Sequence, residues 1–337
     1  MILSIDVGSR AIKIVEGVPA GNGVTVRRAA TVQTPEGAVK DGNLLMLNDV
    51  ANVIRTCLAN EHFTAKTLNF TVGSTEILHR ELTVPRVDHK RLAPIVQNEM
   101  YQQLTGGEGY AVDYLPSLEP VPDSPQLQKV TASGMPKEMA KQYLDLTNLL
   151  RKKPGSLQMH PSALSKLLRS AVVNDTQLGD QSYIVCEMGA HIVHIYLYSG
   201  KTLLFTRCIK APCDEFFDAM QRLDGFDTID QVTQGVDLSP EALEQDARIA
   251  QASSMLLQYL SQELQRMLQF AISRRLPSPV QTVLLCGGMS MLKGMDAYLA
   301  SVLDLSVQRI DKLVSVSCPA GIEITPYLNA IGAIARR

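Results

Sequence analysis

A chain of 337 residues exceeds one ordinary hydrophobic core, so two packed units are expected. Hydrophobic residues make up 45% and charged residues 20%, the balance of a folded globular protein. A formal net charge of −2 gives no global attraction to nucleic acid or to an anionic bilayer, which excludes both as direct partners.

No stretch offers the roughly 20 consecutive apolar residues of a membrane helix. The opening Met1-Ile2-Leu3-Ser4-Ile5-Asp6 lacks a basic leader and a cleavage site and reads as a β-strand. Six cysteines are scattered without a CxxC pair, the pattern of reduced thiols in a cytosolic protein.

The first elements predict a three-strand meander. Leu3 to Asp6 is an apolar strand, Val7-Gly8-Ser9-Arg10 turns, and Ala11 to Val15 returns. A turn at Pro19 to Gly23 leads to a third strand, Val24 to Ala30. A helix carrying Val50, Val53, Ile54, Cys57 and Leu58 follows, then a strand from Thr67 to Val72. The block from about Glu81 to Lys153 has its own pattern: a helix at Lys90 to Leu104, turns at Pro116, Pro120, Pro122 and Pro125, a strand at Lys129 to Ala132 and a helix at Lys137 to Leu150. It reads as a subdomain inserted in the first unit.

The opening order then recurs. Tyr183 to Cys186 is an apolar strand, Glu187-Met188-Gly189-Ala190 turns, Ile192 to Tyr198 returns, and Lys201 to Arg207 is the third strand. Asp6 and Glu187 are separated by the same interval as Gly8 and Gly189, so the unit is duplicated. A second insert, about 211 to 279, ends in a helix predicted over Ser253 to Arg275. Val283 to Cys286 is a strand, Gly287-Gly288-Met289-Ser290 a turn, and Met291 to Val302 a helix.

An acidic strand end followed by a glycine turn suits a polyphosphate. Turn amides form an anion-binding nest, glycine allows close approach, and the carboxylate can hold Mg²⁺ through water. Two such hairpins facing each other would pinch the phosphates of ATP, and a helix entered through Gly287 and Gly288 would lie against the nucleotide. His79, His89, His160, His191 and His194 form no ligand pattern. Only His191 and His194 share a strand, where residues three apart face opposite sides, so the histidines read as structural.

The array of Ile5-Asp6-Val7-Gly8-Ser9, Glu187-Met188-Gly189-Ala190 and Gly287-Gly288-Met289-Ser290 resembles the two phosphate motifs and the adenosine motif of the actin–sugar kinase–chaperone superfamily. His160-Pro161-Ser162-Ala163-Leu164 and Asn329-Ala330-Ile331-Gly332-Ala333 resemble its two hinge helices. Within that superfamily the chain is similar to the PilM family of type IV pilus assembly, relatives of the division protein FtsA. Asp6 to Glu16, Thr34 to Gly42, Leu82-Thr83-Val84-Pro85, Asn98-Glu99-Met100-Tyr101 and Val112-Asp113-Tyr114 carry that similarity.

The resemblance implies an α/β, actin-like (ribonuclease H-like) two-lobed fold with a duplicated three-strand meander plus helices. The first lobe would comprise 1–80, 154–168 and 318–337, with 81–153 inserted in it. The second would span 169–317 with its own insert at about 211–279. ATP and Mg²⁺ would bind through Asp6, Gly8, Ser9, Arg10, Lys13, Glu187, Gly189, Ala190, Gly287, Gly288 and Ser290, with Asp6 and Glu187 on the metal. Gly8, Ser9, Gly189 and Ala190 would supply phosphate-binding amides.

The resemblance also implies partners: the N-terminal cytoplasmic tail of PilN, an inner-membrane pilus protein, held in a groove beside 81–153. Other inner-membrane platform proteins, the assembly ATPase and self-association belong to the same expectation. The protein would then be cytoplasmic and reach the membrane only through its partner.

Three departures stand out. Glu187 replaces the usual Asp, His191 a small hydroxyl residue, and Arg10 and Ala11 small hydroxylated ones. Slow or absent hydrolysis follows as an expectation, with no catalytic residue assigned, and Arg10 is left either on phosphate or in solvent. Two other functions compete. An FtsA-like filament would need its own membrane helix, whereas this chain ends in Ile334-Ala335-Arg336-Arg337. A sugar kinase would need a carboxylate general base in the cleft that the sequence does not offer.

Overall fold

The computed structural model describes residues 1–104, 106–116, 121–224, 226 and 229–336; Pro120 and Arg337 lie outside them. In chain order the elements begin with β1 (Ile2–Val7), β2 (Ala11–Ala20), β3 (Gly23–Gln33), a short hairpin of β4 (Val39–Lys40) and β5 (Asn43–Leu44), α1 (Leu47–Asn60) and β6 (Thr67–Val72). Next come β7 (Leu78–Pro85), α2 (His89–Gln103), β8 (Tyr110–Pro116), β9 (Leu127–Pro136), α3 (Lys137–Leu149), β10 (Lys153–Met159) and α4 (His160–Leu167). A small hairpin, β11 (Val172–Val173) and β12 (Thr176–Gln177), precedes β13 (Ser182–Met188), β14 (Ile192–Ser199) and β15 (Thr202–Lys210). Four helices follow: α5 (Cys213–Asp224), α6 (Ile229–Gly235), α7 (Pro240–Gln245) and α8 (Ala247–Ser273). The chain closes with β16 (Val280–Cys286), α9 (Met295–Leu303), β17 (Ser306–Arg309), β18 (Val316–Ser317) and α10 (Leu328–Ile334).

Two sheets repeat one plan. The first runs β10-β6-β1-β2-β3-β18 and the second β15-β14-β13-β16-β17. In each, an antiparallel meander (β1-β2-β3, β13-β14-β15) extends through two parallel strands beside its first member. Period-two alternation then sorts the side chains. On β1, Leu3, Ile5 and Val7 enter a core beneath α1 and α3, leaving Ser4 and Asp6 on the other face. On β13, Ile184, Cys186 and Met188 pack under α5, α8 and α9, leaving Tyr183, Val185 and Glu187 facing the first lobe. Both acidic residues therefore point into the space between the sheets.

That space is filled by α4 and α10. Leu164, Leu167, Leu328, Ile331 and Ile334 form a third core with Val15 and Val26 of one sheet and Tyr183, Tyr196 and Tyr198 of the other. The strands β7, β9 and β8 form a separate antiparallel sheet, covered by α2 through Leu92, Val96 and Met100. Helix α3 sits elsewhere: Met139, Tyr143 and Leu146 pack beneath the first sheet, so the separately cored unit ends with β9.

Two helix boundaries differ from expectation. Helix α8 starts six residues before Ser253, because the Asp246 carboxylate accepts the amides of Arg248 at 2.9 Å and Ile249 at 3.4 Å and caps the helix there. The helix predicted from Met291 begins at Met295. A 3₁₀ turn, Gly288–Met291, intervenes and Gly294 takes φ +75°, so no α-helix N-terminus meets the Gly287-Gly288 turn.

The two inter-sheet helices cross at Gly332. A Cβ there would stand 2.2 Å from the Ala163 carbonyl oxygen, a clash with backbone that no rotamer relieves. Gly332→Ala is expected to destabilise the fold by about 3 kcal/mol, as an overpacked contact, read as a lowered urea midpoint. An unchanged midpoint would show that the helices separate at no cost.

Candidate functional site

Asp6 and Glu187 come together at the floor of the cleft between the lobes, each only 5% exposed. Each sits at the end of the first strand of its meander, and each is paired across its hairpin with a basic residue type. Register sets Asp6 opposite Lys13 and Glu187 opposite His194. Lys13 Nζ lies 3.9 Å from Asp6 Oδ2, and His194 Nδ1 lies 3.7 Å from Glu187 Oε2.

His160, the first residue of α4, stands between the two acids. Its Nε2 is 3.1 Å from Asp6 Oδ1 and its Nδ1 is 2.7 Å from Glu187 Oε1. Glu187 is further engaged: Tyr196 Oη donates at 2.6 Å and Asn329 Nδ2 at 2.5 Å, bringing in β14 and α10. Burial opposes the charge on His160, but Glu187 and Asp6 together outweigh it and push its pKa up to about 10. Burial also works against ionising the acids, yet His160 beside both, with Lys13 beside Asp6 and the Tyr196 hydroxyl on Glu187, holds each below the ordinary carboxylate range. His194 goes the other way. Burial, reinforced by the charge on His160, lowers it to about 4 and keeps it neutral.

The hairpin turns form the walls. Gly8 N–H donates to Ala11 O at 3.2 Å and Gly189 N–H to Ile192 O at 3.0 Å, the same closure in both copies. Those two amides are therefore spent on the turns and not open to phosphate, unlike the expectation. The glycines make that closure possible: a Cβ on either would collide with the carbonyl its own amide bonds, Ala11 O at 2.7 Å and Ile192 O at 2.6 Å. At the cleft rim, Gly287 and Gly288 line the space with Met289, Thr325 and Pro326, and a Cβ on Gly288 would meet nothing within 4 Å.

Asp6, Gly8, Ser9, Arg10, Lys13, Glu187, Gly189, Ala190, Gly287 and Gly288 all line this cleft. Ser290 does not. It is fully buried, and its hydroxyl donates to Gly287 O at 2.7 Å, shaping the turn from behind.

Arg10 takes neither of its expected positions. It crosses to the second lobe, where Nε and Nη2 approach Asp214 Oδ1 at 2.8 and 2.7 Å and the guanidinium lies 4.8 Å from the Phe217 ring centre. His191 Nδ1 meets the other Asp214 oxygen at 3.0 Å. Elsewhere on the cleft, Lys210 of the second lobe pairs with Asp41 of the first at 3.2 Å. Sequence reading did not find Asp214, Asp41 or the role of His160, since these partners are remote along the chain. His194 was legible in principle: counting the hairpin places it opposite Glu187 as Lys13 stands opposite Asp6.

A family model described as type IV pilus assembly protein PilM matches residues 4–324. The solved PilM-PilN type IV pilus biogenesis complex superposes with TM-score 0.81 at 22% identity, covering 99% of this chain and 97% of that one. The ethanolamine utilization protein EutJ from Carboxydothermus hydrogenoformans gives TM-score 0.52 at 13% identity, with 98% and 88% covered. No curated protein matches the chain by sequence. At these identities the structural likenesses speak for the fold, which is two-lobed and actin-like. Among the described residues no helix is long and apolar enough to cross a membrane.

The histidines give stability a defined pH optimum. His194 and His79, the latter lowered by burial to about 4, take up protons on unfolding below pH 6.5, so stability falls as pH falls from there. His160 holds in the fold a proton that the unfolded chain has released, so stability falls again as pH rises from 6.5 towards 10. The urea midpoint should therefore be highest near pH 6.5. His160→Gln should abolish the decline between about pH 6.5 and 8.5; a decline of unchanged slope in that variant would refute the assignment.

Proposed function

Because the chain belongs to the PilM family of type IV pilus assembly proteins, we propose that it is an ATP-binding adaptor of the pilus assembly platform at the inner face of the cytoplasmic membrane. The observation that carries the nucleotide half is the facing pair of glycine hairpins, which wall a cleft floored by two buried acids. The triphosphate would lie between the turns, within reach of the Ser9 and Ala190 amides at their tips and of the Lys13 ammonium. The adenosine would lie along Gly287, Gly288 and Met289.

Asp6, ionised and beside Lys13, suits a hydrated Mg²⁺, which when bound would neutralise phosphate charge. Glu187 suits it less, because His160 and His194 surround it with nitrogen where Mg²⁺ requires oxygen. Glu187 is also a poor general base: its oxygens already accept from Tyr196 and Asn329, and His160 keeps its proton affinity low. Binding with slow turnover is the expected behaviour, slower than roughly 1 s⁻¹. Asp6→Ala should weaken ATP binding at least about tenfold, the loss of one charge-assisted contact. A labelled-ATP titration showing equal affinity for wild type and variant would remove this site.

The adaptor half rests on a groove where the β7-β9-β8 sheet meets the hinge region. His79, Tyr114, Leu115, Met159, Pro161 and Leu203 line it, and β8 is an edge strand of that sheet among the described residues. An extended peptide can add to such an edge while its apolar side chains enter the groove. PilN, named in the superposed complex, supplies the proposed ligand in its short N-terminal segment, which would tether the chain to the bilayer. A synthetic peptide of that segment should bind the full chain, and Leu115→Asp at the groove should abolish binding while ATP affinity stays unchanged. Equal peptide affinity in the variant would place the partner elsewhere.

A further inference from the structure

The acids and imidazoles at the cleft floor do more than balance charge. His160 on α4, Glu187 on β13 and His194 on β14 are all buried, and their donor atoms lie within 4.8 Å of one another. Glu187 and His194 share the inter-sheet face by cross-strand register, and the first turn of α4 carries His160 onto them. Nothing in sequence spacing announces this trio, because it closes only when hinge helix and second sheet meet.

A second observation points to a ligand. His160 Nδ1 is buried and has no well-aligned hydrogen bond, although Glu187 Oε1 stands 2.7 Å away; a divalent ion would take the place of the proton that the imidazole otherwise carries between the acids. Zn²⁺ bonds of about 2.0–2.1 Å at the tetrahedral angle put neighbouring ligand atoms roughly 3.3 Å apart, so the two atoms would separate by about half an ångström to admit the ion. The surrounding contacts are those that orient metal ligands. Asp6 Oδ1 faces the other ring nitrogen of His160 at 3.1 Å, as a carboxylate behind a ligating imidazole does. Tyr196 and Asn329 each donate to one oxygen of Glu187, leaving each oxygen a lone pair.

We propose that His160, Glu187 and His194 form a binding site for a first-row divalent metal of the imidazole-preferring kind, such as Zn²⁺, independent of nucleotide. Two imidazoles and a carboxylate are a nitrogen-rich set that favours Zn²⁺ or Co²⁺ over Mg²⁺. The remaining coordination positions open to the cleft, which all three residues line. The ion would join α4 to the second sheet and fix the hinge helix in the orientation seen here. This site does not depend on the ATP reading, and its test omits nucleotide.

The experiment uses the full chain, stripped with chelator and titrated with Zn²⁺ in competition with a chromophoric indicator, then with Co²⁺ while visible absorption is followed. One ion per chain is expected, with a rise in melting temperature on Zn²⁺ but not on Mg²⁺. His160→Gln and His194→Gln should each remove tight binding and the temperature rise. Tyr196→Phe keeps the buried ring and loses only the bond to Glu187; it should weaken Zn²⁺ about tenfold. Absence of stoichiometric binding, unchanged affinity in both histidine variants, or a thiolate charge-transfer band marking cysteine ligation would each overturn the site. If the histidine variants do not fold, unchanged affinity in Tyr196→Phe overturns it alone.

Discussion

Two like charges buried face to face organise this molecule. Asp6 and Glu187 end equivalent strands of two duplicated sheets, and closing the lobes removes both from water. Desolvated carboxylates this close are unfavourable unless something compensates them. His160 is that compensation, set between them by the first turn of α4, with Lys13 behind one acid and Tyr196 and Asn329 on the other. The demand for a cation at that point explains why α4 must enter there and why α10 must bring Asn329. The tight crossing at Gly332 follows from holding both helices in one gap.

Much of the architecture was legible because duplication writes the same local pattern twice. Period-two alternation on Leu3, Ile5 and Val7, and on Ile184, Cys186 and Met188, decides which face carries each acid before any coordinates are known. What stayed hidden is of two kinds. Helix ends turned on small local events, the Asp246 cap and the left-handed Gly294, that compete weakly with apolar periodicity. Side-chain partners turned on long-range closure: Arg10 meets Asp214, and Lys210 meets Asp41, only once the lobes are in place. The placement of His160 between the two acids stayed hidden for the same reason. A rule about spacing along one strand cannot see a residue delivered by a helix.

Arg10 shows how a departure from a family pattern acquires meaning from its surroundings. At the tip of the first hairpin it does not reach the floor; it spans the cleft to α5, braced by Phe217 and by His191 on the same carboxylate. Arg10 and Asp214 are each about one-third or more exposed, so solvent screens the pair and its worth is modest. Its value is geometric. Together with Lys210 and Asp41 it gives the lobes two polar contacts with each other.

The first sheet is assembled from distant parts of the chain. Strand β3 is covered at its outer edge by β18, where Val24 pairs with Val316, and β1 and β2 are capped on one face by α10. During synthesis the opening meander therefore leaves the ribosome long before its last strand and its covering helix exist. Until they arrive, one apolar face and one strand edge stay open, the condition under which nascent chains aggregate or recruit a chaperone. The second lobe closes its sheet with β16 and β17, all from residues after 180, but the face carrying Tyr183, Tyr196 and Tyr198 also waits for α10. Both lobes thus depend on the last helix of the chain, and the cleft between them is the last part of the molecule to come into being.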